Sequence, residues 1–382
     1  MRAFPRRLLI EQRCGALTDD GEIHRARQGA RNLLLNCIEL RTGDRLLIVL
    51  ENPELGWYQE DAAELVAVVA RELGAEVTVR QVGGPDNRYV GDDAATDASS
   101  SVDQDFDCCL FFARMGDQMR FDPEIVGRRR AMCYVTSRES LASNYGCIQY
   151  QALADLKTAI DRVLYGASEI VLTCPLGTTL RGNVAGSVPD EDVTVHRFPV
   201  GVHAPLDAVG FAGEIYLARY LTPTGSRVYE PASARIDHPV VAKVSAGRII
   251  RYTGEGDDLE RVNSHYTRVS DEFDLDPTMV LSWHAGIHPG CHFVGRAVDD
   301  PDKWSNTVFT SPRFAHFHTC GQSAPGEICW MVLDPTISVD GIALWEEGRL
   351  HPERLVELDS CIELWPELNA LYQGTYGSVG LL

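Results

Sequence analysis

The stretch "GDRLLIVLENPE…YQEDAAELVAVVARELGAEVTVRQV", within residues 43–82, constrains this chain most. An apolar run between two turns reads as a buried strand. The next segment carries apolar residues at helical spacing and stops at Gly74, a residue suited to closing a helix. "AEVTVRQV" (75–82) is a second strand. Strand, helix and strand within about forty residues form a βαβ unit, which predicts a parallel sheet.

Further buried strands are expected at "CCLFFAR" (108–114), "RAMCYVT" (130–136) and "SEIVLTC" (168–174), with an amphipathic helix at "YQALADLKTAIDRVLYG" (150–166). The polar, acidic segment 85–107 reads as a loop or surface excursion. Together these predict an open α/β, Rossmann-like domain over residues 1–187, with its ligand crevice beyond the carboxyl ends of the strands. From about residue 190 the runs become short and β-like. "VVAKVSAGRIIRY" predicts a hairpin about Ala246 and Gly247, and "GDDLERVNSHYTRVSDEFD" (256–274) a helix. Strands are expected near 279–287, 307–318, 328–334 and 337–344. The second half, 188–382, is therefore expected to be a β-rich α+β domain, and 382 residues suit two domains.

Thirty-five basic against fifty-five acidic residues give a net charge of −20, which repels polyanions and argues against nucleic acid as a partner. No apolar run reaches the ~18 residues of a membrane helix. The "LLI" of "MRAFPRRLLIEQRC" is too short for a signal-peptide core, so a cytoplasmic location is expected. Eleven cysteines, an odd number without any C-x-x-C, predict reduced thiols. Cys108 and Cys109 fall inside an apolar run and read as small core residues.

Five of the eleven histidines fall between His284 and His318, in "LSWHAGIHPGCHF" (281–293) and "FAHFHTCG" (314–321). Side chains two apart in a strand share a face, so His316 and His318 are expected to point the same way. His288 precedes Pro289 and Gly290 in a turn, where its direction cannot be read. Trp283, Trp304 and Trp330 suit an aromatic cleft or a packed core equally. In "GTTLRG" (177–182), Arg181 either binds a carboxylate bidentately or lies on the surface. "DDPDKWSN" (299–306) reads as a solvated acidic turn. No G-x-S-x-G, H-E-x-x-H or P-loop occurs.

Several segments, in this order, resemble the superfamily shared by the M29 leucyl aminopeptidases and 2,5-dihydroxypyridine 5,6-dioxygenase. They are "GDRLLIVLENPE…ELVAVVARELGAEVTV", "GTTLRG", "HRFPVGVHAP", "AKVSAGRIIRYTGEGD", "WHAGIHPG" and "SVDG". The resemblance implies ferrous iron held by two histidines and an aspartate, leaving open positions for substrate and oxygen. The first histidine falls on His284. The His-x-Asp pair falls on "ICWMVLDPTISVDG", with Asp334 on the aspartate and Val332 in the histidine's place. An acid–base histidine falls near Arg114 or Met115, and a supporting one on His196, the candidate catalytic residue. The aminopeptidases' Gly-Glu pair reads Gly201-Val202 here.

With a ligand position occupied by valine, the leading expectation is a non-catalytic protein. It would bind a peptide or small molecule without a cofactor, for instance a precursor peptide in ribosomal peptide natural-product biosynthesis. Arg114, Arg181, Trp283 and Trp330 would line its site. The alternative is an Fe(II) ring-cleaving dioxygenase with a rebuilt set of His284, His316 or His318, and Asp334. A third reading is a divergent metallo-aminopeptidase. A homo-oligomer is expected in each case.

Overall fold

The computed structural model describes residues 20–85, 105–119, 129–184, 195–224, 228–321 and 326–381. The N-terminal basic stretch and nearly all of the acidic segment 85–107 lie outside these.

The chain enters through α1 (Asp20–Arg31), then builds β1 (Arg45–Glu51), α2 (Glu60–Glu72) and β2 (Glu76–Val82). β1 is buried at every position after the first, as befits a strand covered on both faces. α2 buries Ala62, Ala63, Val66, Ala67, Val69 and Ala70, and Gly74 ends its turn at φ 89°. β3 (Cys108–Phe112), β4 (Arg129–Cys133) and, much later, β7 (His196–Phe198) complete a five-stranded parallel sheet ordered β2-β1-β3-β4-β7. Cys108 and Cys109 are buried in β3, and the described cysteines are free thiols.

A helix, α3 (Tyr150–Gly166), leads into β5 (Ile170–Thr173) and β6 (Thr179–Gly182). β5 was expected to extend the parallel sheet, yet it pairs antiparallel with β6 and both join a second sheet. That sheet also takes β8 (Leu206–Asp207), β9 (Phe211–Pro223), β10 (Ala234–Ser245) and β11 (Arg248–Thr253). The β10–β11 hairpin turns at Ala246 (φ 49°) and Gly247 (φ 70°), as predicted. After α4 (Gly256–Phe273) come β12 (Val280–Ala285), α5 (Pro301–Val308), β13 (Phe314–Thr319) and β14 (Ile328–Leu333). β15 (Thr336–Val339), β16 (Ile342–Glu346), β17 (Arg349–Leu350), α6 (Val356–Leu364) and α7 (Pro366–Gln373) close the chain. The main path of this twelve-stranded antiparallel sheet is β17-β16-β15-β5-β6-β9-β14-β13-β12-β8, with β10 and β11 attached through β9.

The two sheets do not divide at residue 187. β5 and β6 precede that point but find their partners in β15 and β9, while β7 follows it and pairs with β4. Strand periodicity identifies a strand without naming its neighbour, and here the neighbours interleave along the chain. The acidic stretch 299–306 is also not a turn. Asp300 caps α5 by accepting from the Lys303 N–H at 3.0 Å, and Pro301 occupies its first turn. Among the described residues, no helix is long and apolar enough to cross a membrane.

Candidate metal centre

β12, β13 and β14 run antiparallel, with His284 opposite His316 and His316 opposite Met331. Residues directly opposite one another lie on the same face of a sheet. His284, His316, His318, Met331 and Cys329 therefore share one face. Trp283, Ala285, Ala315, Phe317, Trp330 and Val332 share the other, and all six belong to the second hydrophobic core. Gly286 follows His284 by two residues, and a Cβ there would lie 2.1 Å from the Ser311 carbonyl oxygen, so the backbone approach requires glycine.

Three imidazoles converge on the first face. One ring nitrogen from each of His284, His316 and His318 lies within 4.8 Å of the other two. His284 Nε2 sits 3.4 Å from His316 Nδ1 and 3.1 Å from His318 Nε2. Burial is the largest influence on His284 and His316, and with the neighbouring imidazoles and Arg197 it pushes both well below the ordinary imidazole range. Both are neutral at pH 7, the form that ligates metals. His284 is almost fully buried, while His316 and His318 keep a small accessible fraction.

His203 locks the strand that carries His284. Its Nε2 accepts from the Ala285 N–H at 2.8 Å, so its proton is on Nδ1, which donates to the Ala204 carbonyl oxygen at 2.6 Å. Burial pushes its pKa down to about 4. Phe309 packs against His284 and His316 at 5.9 and 5.7 Å between ring centroids. Tyr134, just past the carboxyl end of β4, meets Phe309 edge-on at 5.4 Å. The imidazoles thus lie where the antiparallel sheet meets the carboxyl ends of the parallel strands.

The set expected from sequence is only partly assembled here. His284, His316 and His318 come together. Asp334 does not join them, because Arg313 holds both of its carboxylate oxygens at 2.7 and 2.8 Å. Val332 is not in a ligand's place, since it points into the second core. Trp283 and Trp330 line no cleft. Trp283 stacks on Phe317 at 5.7 Å, and the Trp330 indole N–H donates to Tyr266 Oη at 2.6 Å. His288 is buried against Tyr145, accepts from the Gly290 N–H at 3.1 Å, and stands outside the cluster.

Arg181 lies on the surface, paired with Glu169 at 2.7 Å. His196 is exposed on β7 and faces away from its neighbour Arg197. Arg114, just past β3, spends its guanidinium on Glu51 at 2.8 Å and stacks on Trp57 at 3.9 Å. Sequence reasoning missed Phe309, Tyr134 and Arg197, none of which had a local signal.

The donor set fits a metal ion. Two nitrogens on one tetrahedral or octahedral ion, each ~2.0–2.1 Å from it, stand about 2.9–3.4 Å apart. The His284 separations of 3.1 and 3.4 Å match that spacing. Without a cation, the one proton or one lone pair of His284 Nε2 must serve both contacts. His284 Nδ1 is buried and has no acceptor among the described residues.

Scaffold and cluster define a class: a mixed α/β protein with the fold expected from the ordered motifs, carrying three convergent imidazoles at the meeting of its two sheets. The solved structure of 2,5-dihydroxypyridine dioxygenase from Pseudomonas putida KT2440 matches with a TM-score of 0.58 at 11% identity, covering 90% of this chain and 100% of that one. AmpT from Thermus thermophilus matches at a TM-score of 0.44 and 11% identity, over 86% of this chain and 99% of that one. At this identity the dioxygenase likeness establishes the fold alone. No family model and no curated protein matches the sequence.

Proposed function

We propose that the protein is a metal-dependent enzyme of the dioxygenase type, with one iron(II) ion held by His284, His316 and His318. The observation that carries this is the convergence of three buried ring nitrogens, with His284 Nε2 at coordination-like separations from the other two. The dioxygenase pattern pairs its second histidine with an aspartate two residues on. His316-Phe317-His318 has that spacing, with an imidazole where the pattern has the carboxylate. The reading of a non-catalytic protein rested on a ligand lost at position 332, and that residue faces away from the cluster. The aminopeptidase reading needs two metals, and no carboxylate joins the convergent group among the described residues.

Iron bound there would supply dioxygen activation beside a coordinated substrate. The chain's own residues hold three neutral donors in place, and Phe309 walls the site with an apolar ring. Asp302 supplies a carboxyl group on α5. It is within electrostatic reach of Cys329, the cross-strand neighbour of His318. Metal analysis of protein purified without chelator tests the proposal. About one equivalent of iron is expected, lost in His284→Ala, His316→Ala and His318→Ala. Wild-type protein that takes up no transition metal, or retains it in all three variants, would refute the assignment.

A further inference from the structure

Arg197 lies on β7 between His196 and Phe198 and projects to the opposite face from both. Its guanidinium carbon stands 5.6 Å from the centroid of Phe309 and 5.9 Å from that of Tyr134. Phe309 is the ring that packs on His284 and His316, and the Arg197 charge reaches both of those imidazoles. Arg197 is half-buried, and its Nε is fully buried with no acceptor among the described residues. The other arginines at these strand ends are committed: Arg114 to Glu51, Arg313 to Asp334.

A guanidinium with its Nε buried and unmet is unfavourable unless an anion completes it, because desolvation is compensated only by hydrogen bonds. Nothing in the neighbouring imidazole cluster supplies that negative charge. Three neutral imidazoles would also leave a divalent ion's charge unbalanced. Phe309 and Tyr134 line the place beside the guanidinium with aromatic surface, which favours a ring-bearing occupant. We infer that Arg197 is the anchor for a substrate carboxylate, and that the substrate is a planar, ring-bearing acid with its carboxylate on Arg197 and an adjacent donor group toward His316 and His318. Arginine's fork matches a carboxylate bidentately, so the bond also orients the ring. This deepens the metal-centre reading by naming the substrate class.

The test separates the two. Metal-free protein is titrated by calorimetry with benzoate and 2-hydroxybenzoate, and with the neutral amides of both. The acids are expected to bind at least ~10-fold more tightly than their amides. Arg197→Gln is expected to weaken both acids by about 10- to 100-fold and to leave the amides unchanged. Arg197→Lys, which keeps the charge but not the fork, should fall between; it serves as the deciding variant if the melting profile shows Arg197→Gln to be unfolded. Acids and amides binding alike, no binding of either acid, or full acid affinity in the variant that folds overturns the inference. A second arm with iron-loaded protein reads the metal. If the metal-centre reading holds, 2-hydroxybenzoate gains affinity over benzoate on loading and loses that gain in His284→Ala. A failure of this arm alone leaves Arg197's role standing.

Discussion

Asp302 sits on α5 with Oδ1 accepting from Asn306 Nδ2 at 2.8 Å. Burial pushes its pKa up to about 7; Arg114 opposes this, while Asp300 and Glu230 add to it. A carboxyl poised there can give or take a proton at neutral pH. The linkage sign follows from the direction of the shift. Between the ordinary carboxylate value and about pH 7, the unfolded chain has lost this proton and the folded chain keeps it. Stability from this group is complete in acid and is lost as pH rises through that window. Asp302→Asn removes the effect, so its melting temperature relative to wild type should climb between about pH 4 and pH 7 and stay level above. A gap that is flat across that range, in paired thermal melts, would place Asp302 in an ordinary solvated setting. Val332 gives the complementary case. Val332→Ala should cost about 2 kcal/mol of stability by opening a cavity in the second core, while the bound metal content stays at the wild-type level. Metal loss in a folded Val332→Ala protein would return that position to the site.

At the scale of elements, the α5 cap tests how Phe309, the ring beside the imidazoles, is held. α5 carries Asp302 and ends at Phe309, so its start anchors both. Asp300→Ala removes the oxygen that accepts from Lys303 N–H and should cost about 1 kcal/mol, read as a shift in the denaturation midpoint. Much of this layer was legible in sequence. The alternation of His316 and His318 placed both on one face, the βαβ unit gave a parallel sheet, and the Ala246-Gly247 turn gave the hairpin. What failed depends on pairing. Whether Val332 faces the imidazoles or the opposite core is fixed by its place across from Ala315, and no local pattern within β14 encodes that register. β5 reads as strand from its own residues, but its antiparallel place between β15 and β6 is a long-range fact. The start of α5 is different, because Asp300-Pro301 is a helix-opening pair that charge content obscured. Arg197 belongs to no motif, and only the meeting of β7 with Phe309 and Tyr134 gives it meaning.

For the molecule as a whole, the interleaving of the two sheets decides whether the chain can be divided. α3 lies in the first half of the sequence, yet Ala152, Leu153, Leu156, Ile160 and Leu164 are buried in the core of the antiparallel sheet. A fragment ending at residue 187 would keep α3, β5 and β6 but lose β9 and β15, which pair with those strands. It would also lose β7 from the edge of the parallel sheet. The apolar face of α3 and the edges of β4, β5 and β6 would then meet water, a cost the remaining parallel core does not offset. The fragment 1–187 is accordingly expected to lack a cooperative thermal transition and to bind a hydrophobic dye, while the full chain unfolds in a single transition. The imidazole cluster sits between the two cores, so an ion bound there stabilises both through the same contacts. Loading at a hundred times the dissociation constant should raise the stability of the full chain by about 2.7 kcal/mol, and should leave the fragment's melt unchanged because it contains none of the three ligands. A fragment that melts cooperatively would restore the division near residue 187 and would mean that β5 and β6 can fold without the strands they pair with here.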